Sequence, residues 1–490
     1  MKLNIQRKNQ LLLLLLWLAC LSLLPWTAEA ATYEVGPGKA YPNVSNVPWE
    51  SLHGGDTVLI YYRSDPYREK WVVAVQATEQ NPIVVRGVPG AGGELPVIDG
   101  ENATTRSQLN FWNEARGVLK IGGANTPNSD SAGWVVIENL DIRSGRTPFQ
   151  FTGRSGLTNY SDNAASVYIE NGQNVIIRNC ILHNSGNGLF VSSASRNITI
   201  EGCSIYDNGI ENSIYHHNTY TEAIGMIYQY NHFGPLRANC LGNNLKDRSA
   251  GLVVRYNWIE SGNRQLDLVD AEDSMDLVND PSYRDTYVYG NILIEPEGAG
   301  NSQIVHYGGD SGNTAIYRKG KLHFYNNTVV STRTGNTTLF RLSTNEESCD
   351  CRNNIIYGTA SGSSLAMLNA EGILRIRNNW TKPGWVASHS GLTGQIFNDG
   401  GMLTGQNPGF IDEAAQNFQL ATDSACVDHG AALETGILPN CDVTLQYVKH
   451  QRSVLRPRTT VLDIGAFEAG ALVPIPLKTP TNLKVIPARN

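Results

Sequence analysis

The sequence predicts an all-β solenoid, a single stack of coils, on three observations. The first is a recurring phrase: alternating apolar residues, a polar residue, Asn, then an apolar residue. It reads Val136-Ile137-Glu138-Asn139-Leu140, Ile176-Ile177-Arg178-Asn179-Cys180 and Val254-Arg255-Tyr256-Asn257-Trp258. It continues as Tyr289-Gly290-Asn291-Ile292, Phe324-Tyr325-Asn326-Asn327-Thr328, Asp350-Cys351-Arg352-Asn353-Asn354-Ile355 and Ile376-Arg377-Asn378-Asn379-Trp380. A strand-plus-turn unit repeated at irregular spacing marks stacked coils. The second is composition: 48 glycines, abundant Asn and only 5 methionines suit many short strands. The third is length, because a solenoid adds coils without enlarging a spherical core, so 490 residues fit one long stack.

Each element of the repeat has a reason. The apolar residues of the strand face inward. Asn sits at the turn, where it tolerates left-handed backbone and bonds neighbouring backbone groups. Stacked Asn side chains then hydrogen-bond along the axis. The resulting long face suits an extended polymer.

The chain opens with Lys2, Arg7 and Lys8, an apolar run at 11–24 and the cleavage pattern Ala28-Glu29-Ala30. Residues 1–30 read as a signal peptide, with Ala31 the first mature residue and a secreted or periplasmic destination. The alternative is an uncleaved anchor. No second long apolar run follows, so no membrane association is expected after cleavage. The formal charge of −7 grows more negative once the basic leader is removed. A nucleic-acid partner needs a basic stripe, so none is expected. A polyanionic substrate stays open, because local charge decides that.

Eight cysteines include Cys20 in the leader, so an odd number remains and a monomer leaves at least one unpaired. Cys180 and Cys203 occupy equivalent places in successive coils and are expected to stack inside. Cys349 and Cys351 share one strand face. Cys426 and Cys441 are candidates for a bridge, and Cys240 for the free thiol. None has a zinc-ligand spacing.

The β-helix is expected over 31–470, beginning with entry coils at 31–100. These contain Gly54-Gly55-Asp56-Thr57-Val58-Leu59-Ile60, Pro82-Ile83-Val84-Val85-Arg86-Gly87 and Pro96-Val97-Ile98-Asp99-Gly100. The stretch 102–131 reads as a side loop, and coils run from Trp134 to about Trp380. The polar runs 159–163 and 308–313 read as loops that project and wall a groove. Residues 407–468 read as a closing segment over the last coil. Residues 471–490 read as a disordered tail.

Chemistry concentrates between Tyr215 and Asp276. Four phrases there read as four successive coils: His216-His217-Asn218-Thr219-Tyr220, Tyr228-Gln229-Tyr230-Asn231-His232, Asn244-Leu245-Lys246-Asp247-Arg248 and Gln265-Leu266-Asp267-Leu268-Val269-Asp270. Lys246 and Arg248 share strand parity and point the same way, while Leu245, Leu266 and Leu268 point inward. Lys246 and Asp267 are about one coil apart, so they belong on neighbouring rungs. Eliminative cleavage of a uronic acid polymer needs a neutralised carboxylate, a base for the C5 proton and an acid for the leaving oxygen. Lys246 is the candidate base, its pKa depressed by burial and Arg248. Arg248 is the candidate carboxylate partner. Tyr220 or His217 is the candidate proton donor, and Asp267 orients the lysine. His216, Asn218, Arg255 and Asp267 are candidate substrate contacts. Asp267, Asp270 and Asp273, near Glu272 and Asp276, form a candidate calcium site. The plainer alternatives are a solvated face of Lys246 and Arg248 paired with Asp267 and Asp247, and a solvated acidic loop.

The entry block, with Gly54 to Ile60 and Pro96 to Gly100, resembles the first coils of secreted β-helix polysaccharide lyases. Asn407-Pro408-Gly409-Phe410-Ile411-Asp412 and Asp463-Ile464-Gly465-Ala466-Phe467-Glu468 resemble the closing segment of many secreted β-helix proteins. The His-Asn-x-Tyr, Lys-x-Arg and Leu-Asp-Leu phrases resemble alginate-lyase and chondroitinase-B-like proteins, polysaccharide lyase family 6. That resemblance implies a right-handed parallel β-helix of the pectate-lyase type, with a lysine base matching Lys246. It implies an arginine matching Arg248 or Arg255, and often a calcium ion. Asp247 follows Lys246 where the family usually has serine.

The sequence thus points to a secreted lyase of an acidic polysaccharide. A hydrolase on the same scaffold and a non-catalytic carbohydrate-binding or surface solenoid are the alternatives. Inverting hydrolysis needs two facing carboxylates, and Asp267 and Asp270 have opposite parity. Solenoids of this kind are expected to be monomers.

Overall fold

The computed structural model describes residues 30–457 and 461–470. The leader, apart from Ala30, and the tail from 471 lie outside the described residues, and so do the expectations placed on them. Among the described residues no helix is long and apolar enough to cross a membrane.

Strands stack in parallel on three ladders, which makes the chain a parallel β-helix. One ladder runs from Thr32–Val35 through Thr57–Tyr61, Ile83–Val88, Ala132–Glu138 and Gly172–Arg178 to Ile373–Arg377 and Gln395–Asn398. A second runs from Glu69–Val73 through Gly117–Ile121 and Ala165–Ile169, then Leu245–Asp247, Leu266–Leu268 and Gln303–Tyr307, to Thr337–Leu342 and Leu365–Leu368. Two long strands, Asn187–Glu201 and Thr219–Gln229, belong to both ladders and link them. The third ladder has 11 short strands, from Val97–Asp99 to Leu403–Thr404. Because Thr219–Gln229 is one strand, Tyr220 and Tyr228 share a coil, which corrects the reading of their phrases as successive coils.

In the second ladder both strand faces are largely buried, and one register position supplies an unbroken inward column. Leu119, Val167, Leu189, Leu245, Leu266, Val305 and Phe340 have no exposed surface and pack into one continuous core. Each such side chain stabilises by roughly 1.5–3 kcal/mol against the extended chain. At the start of the stack Val44, Val47, Trp49 and Leu52 join the same core, and Trp49 stacks on Trp71 at 5.1 Å.

The turn Asn of the repeat divides into two roles. The left-handed position is held by Asn139, Asn179, Tyr230, Tyr256, Asn326, Asn353 and Asn378. Gly290 takes this place at φ +66°, where a Cβ would meet the Tyr256 ring at 2.5 Å. The next residue turns inward, and from Asn231 onward it builds a ladder through Asn257, Asn291, Asn327 and Asn354 to Asn379. Each Oδ1 accepts from the backbone N–H and the amide of the Asn one coil before. Asn257 donates to Asn291 Oδ1 in this way at 2.9 and 3.0 Å. In earlier coils Leu140, Cys180 and Cys203 fill the same column, all fully buried, so the two cysteines stack inside as expected. Cys349 and Cys351 are likewise buried on one strand.

Three expectations are corrected. The stretch 102–131 is not a side loop throughout, since Gly117–Ile121 is a fully buried strand of the second ladder. The closing segment is not confined to the last coil, where Phe410 and Phe418 cluster with Trp380 and Leu403. It runs back along the turn side: Asn353 Nδ2 donates to Ala431 O at 2.9 Å, Asn326 to Asp463 O at 2.9 Å and Tyr325 Oη to Cys441 O at 2.6 Å. Cys426 and Cys441 are not bridged, because they lie in different clusters, one around Trp258 and Trp380, the other around Tyr256, Tyr289 and Tyr325. Cys240 is an unbridged, half-buried thiol, as are all seven described cysteines unbridged.

Candidate active site

The outward residues of the second ladder form one column. In order of rungs it reads Lys120, Tyr168, Phe190, Tyr220, Lys246, Asp267, His306 and Arg341. Rungs are about 4.8 Å apart, so Phe190 to Arg341 spans about 24 Å. From Phe190 onward this column lines an open cleft of about 1190 Å³. Both projecting loops wall it as expected, through Ser161, Asp162 and Asn163 on one side and Asp310 and Ser311 on the other. Phe190 and Tyr220 stack at 4.9 Å and 8°, Arg116 lies 4.4 Å above the Phe190 ring, and Tyr215 stands 76% exposed on the wall. Flat aromatic faces beside cations suit a charged sugar chain.

Lys246 and Arg248 face the cleft together, but both are buried and paired. Lys246 Nζ meets Asp267 Oδ2 at 2.9 Å and also donates to Asp310. Arg248 Nη2 meets Asp310 Oδ1 at 3.0 Å and Glu272 Oε1 at 2.7 Å, and its Nε donates to Tyr220 Oη at 2.8 Å. Burial alone would lower the Lys246 pKa, but Asp267 and Asp310 outweigh it and the net shift is upward. The expected depressed, proton-accepting lysine is therefore corrected: Lys246 is held as a cation. Its expected orientation by Asp267 is what the geometry gives. The plainer reading is corrected too, because the pair is not solvated, and Asp247 pairs with Arg318 instead, inside the coil.

Asp267 is held from every side. Asn243 donates to Oδ2 at 2.7 Å, His306 Nδ1 to Oδ1 at 2.8 Å, and Arg264 lies at 3.7 Å. Burial would raise its pKa, but Lys246, His306 and Arg264 hold it well below the usual carboxylate range. His217 is buried, and its Nδ1 accepts the Asn243 N–H at 2.9 Å. Burial and Lys246 push its pKa down to about 3, so the ring is neutral with its proton on Nε2. The Tyr220 hydroxyl accepts from Arg248, which leaves its own proton free to donate. His216 is engaged at both nitrogens, by Ser213 at 2.6 Å and the Asp162 carbonyl at 2.8 Å.

Two candidate contacts fall outside the cleft. Asn218 is fully buried in a separate chain of asparagine side chains, Asn208–Asn218–Asn244, with bonds of 3.0 and 2.9 Å. Arg255 lies on the first ladder, where it donates to Gln229 and Tyr289. The calcium donor set does not fit either. Asp267 is committed to four protein groups, and Asp270 has no exposed surface and accepts from Asp310 N at 2.7 Å and from Ser311. Calcium takes six to eight oxygen ligands, and these two carboxylates have few lone pairs left to give. Asp273 remains an exposed residue of the wall. Among the described residues, the trio of ligand-type side chains lying within 4.8 Å of one another is His323, Asp350 and Glu434, which is already neutralised by Lys321 and Arg352.

The chain matches no family model and no curated protein. Among solved structures it is similar to a pectate lyase, with 10% identity over 90% of this chain and 97% of that one, at a TM-score of 0.49. It is similar to an alginate lyase from Paenibacillus sp. str. FPU-7, with 9% identity over 75% and 99%, at a TM-score of 0.47. A rhamnogalacturonan lyase has 13% identity over 71% and 87%, at 0.39, and a lacto-N-biosidase from Eubacterium ramulus 11% over 76% and 68%, at 0.40. The parallel β-helix itself is established by the strand registers described above.

Several groups in the cleft carry no signal in the recurring phrases: Arg116, Glu222, Arg264, His306, Asp310 and Arg341. Glu222 was legible in principle, two residues past Tyr220 and hence on the same face. His306 and Arg341 join the column only through rung register across long loops. Among the described residues, neither Arg116 nor Arg341 has a carboxylate within 4.0 Å, so these are the cations open to a ligand.

Proposed function

We propose that this protein is an extracytoplasmic polysaccharide lyase, of the kind its resemblance to polysaccharide lyase family 6 implies, that cleaves a uronic acid-containing polymer by β-elimination. The observation that carries the reading is the single outward column of aromatic, cationic and proton-donating groups along a 24 Å cleft, about the length of several sugar units. Arg116 near one end and Arg341 at the other attract sugar carboxylates. At the centre, Lys246 and Arg248 already share one carboxylate, that of Asp310, and this pair neutralises the carboxylate of the reacting ring. Neutralisation acidifies the neighbouring C5–H. The Tyr220 hydroxyl, backed by Arg248, protonates the leaving oxygen, and neutral His217 donates a hydrogen bond from Nε2. The leader sequence supports export.

A second reading, hydrolysis, is favoured by one observation. Two carboxyl groups of the same cleft are pushed in opposite directions. Burial and Asp273 raise Glu222 to about 7, while Lys246 and Arg248 hold Asp310 low against burial. Such a split provides an acid and a base.

The deciding experiment incubates the purified protein with alginate, pectate and glycosaminoglycans. Elimination yields products absorbing in the ultraviolet. New reducing ends without absorbance support hydrolysis, and retention of a glycan without any product supports a binding protein.

A further inference from the structure

We propose that Glu222 is the base that removes the C5 proton, an assignment that rests on the elimination reading above. Glu222 follows Tyr220 by two residues on the strand Thr219–Gln229, so both side chains point into the cleft. It lies beside Arg248, whose backbone N–H bonds Thr221 O at 2.8 Å. The residue is only 4% exposed, and its Oε1 is buried without a hydrogen-bond partner. An unsatisfied buried oxygen costs free energy unless something supplies the missing contact. Glu222 lines the cleft, so a sugar ring lying there meets this carboxyl group.

The neighbouring groups are unsuited to the task. The Lys246 ammonium is held protonated between two carboxylates. The Nδ1 lone pair of His217 is taken by Asn243 N–H. Tyr220 accepts from Arg248 and retains a proton to give. Glu222 faces Asp273, Arg248, Asp247 and Glu272, and burial with the carboxylates outweighs the guanidinium. Its pKa rises to about 7, where carboxylate and acid forms are both populated at neutral pH. A base poised near the working pH transfers protons most effectively.

The step balances. The Glu222 carboxylate forms an O–H bond with the C5 proton, and the C5–H electrons become the C4=C5 double bond. The C4–O4 bond breaks, its electrons stay on O4, and O4 takes the Tyr220 hydroxyl proton. The phenolate formed lies against the Arg248 guanidinium. Solvent then removes the proton from Glu222 and returns one to Tyr220.

The test is Glu222→Gln, which keeps shape and removes the base, assayed on the acidic glycans that the parent protein converts. Formation of ultraviolet-absorbing product is expected to fall by about 100-fold or more, with retention on an immobilised glycan unchanged. The parent rate is expected to rise with pH through about 7, and the residual rate of the variant to lack that limb. Glu222→Asp, a shortened base, is expected to keep the limb at a reduced rate. A Glu222→Gln protein as fast as the parent, or one still showing the limb, overturns the assignment of Glu222 alone. A parent that releases no unsaturated product from any glycan overturns the elimination reading and the base role with it. Reducing ends without absorbance, lost in Glu222→Gln, would make Glu222 the acid of a hydrolase instead.

Discussion

Asp310 separates the competing chemistries. Its carboxylate bridges Lys246 and Arg248 in the place where a uronate carboxylate would be neutralised. The loop that carries it is firmly held. Arg318, with no exposed side-chain surface, donates to Val269 O at 2.9 Å and Ser249 O at 2.8 Å, and Asp270 accepts from Asp310 N. Asp310 thus competes with the substrate carboxylate for the same two cations. Asp310→Asn keeps the shape and removes the charge, and should lower the KM for an acidic glycan several-fold with turnover retained. Abolished turnover with unchanged KM would instead mark Asp310 as a working carboxylate, as hydrolysis requires. Steady-state kinetics on the preferred glycan distinguishes the two.

The Asn ladder shows how one side chain can set the geometry of a whole stack. Asn291 accepts from the backbone and amide of Asn257, and donates to Val254 O at 2.9 Å, Tyr289 O at 3.0 Å and Asn327 Oδ1 at 3.0 Å. Its neighbours have no water to turn to, since the whole ladder is buried. Asn291→Ala leaves the Asn257 N–H and two carbonyls without partners, so a loss of about 2–4 kcal/mol is expected, read as a lower denaturation midpoint in urea. Cys203 fills the equivalent column without an amide, so Cys203→Ala should cost less. Equal losses would mean that packing rather than hydrogen bonding stabilises the turn.

The solenoid and its closing segment act as one body. The segment covers a column of aromatic turn residues, Tyr256, Tyr289 and Tyr325, together with Trp258, that would otherwise face water. Arg456 fastens the segment on itself: its Nε pairs with Glu468 at 2.5 Å and its Nη groups donate to the carbonyls of Asp463, Gly465 and Phe467. Arg456→Met strands a buried carboxylate and three carbonyls, so destabilisation of about 3–5 kcal/mol is expected. Limited proteolysis should then nick the variant within 407–457 before it cuts the coils. A variant as resistant as the parent would show that the segment is held by its aromatic contacts alone.

Inward and outward faces were legible because side chains alternate with a period of two whatever the rest of the chain does. Leu245, Leu266 and Leu268 fall inside, Lys246 and Asp267 fall on adjacent rungs, and the Asn turns recur as the repeat implies. Projecting loops were legible from their polar composition. The membership of the cleft was not legible, because register between rungs passes through connections of unequal length. The 39-residue step from Asp267 to His306 and the 35-residue step from His306 to Arg341 hide a straight column that no spacing rule reveals. Nor does local pattern report charge state. Lys246 reads as a free base from its strand phrase, and is a fixed cation because Asp267 on the next rung and Asp310, on a loop 64 residues away, both sit against it.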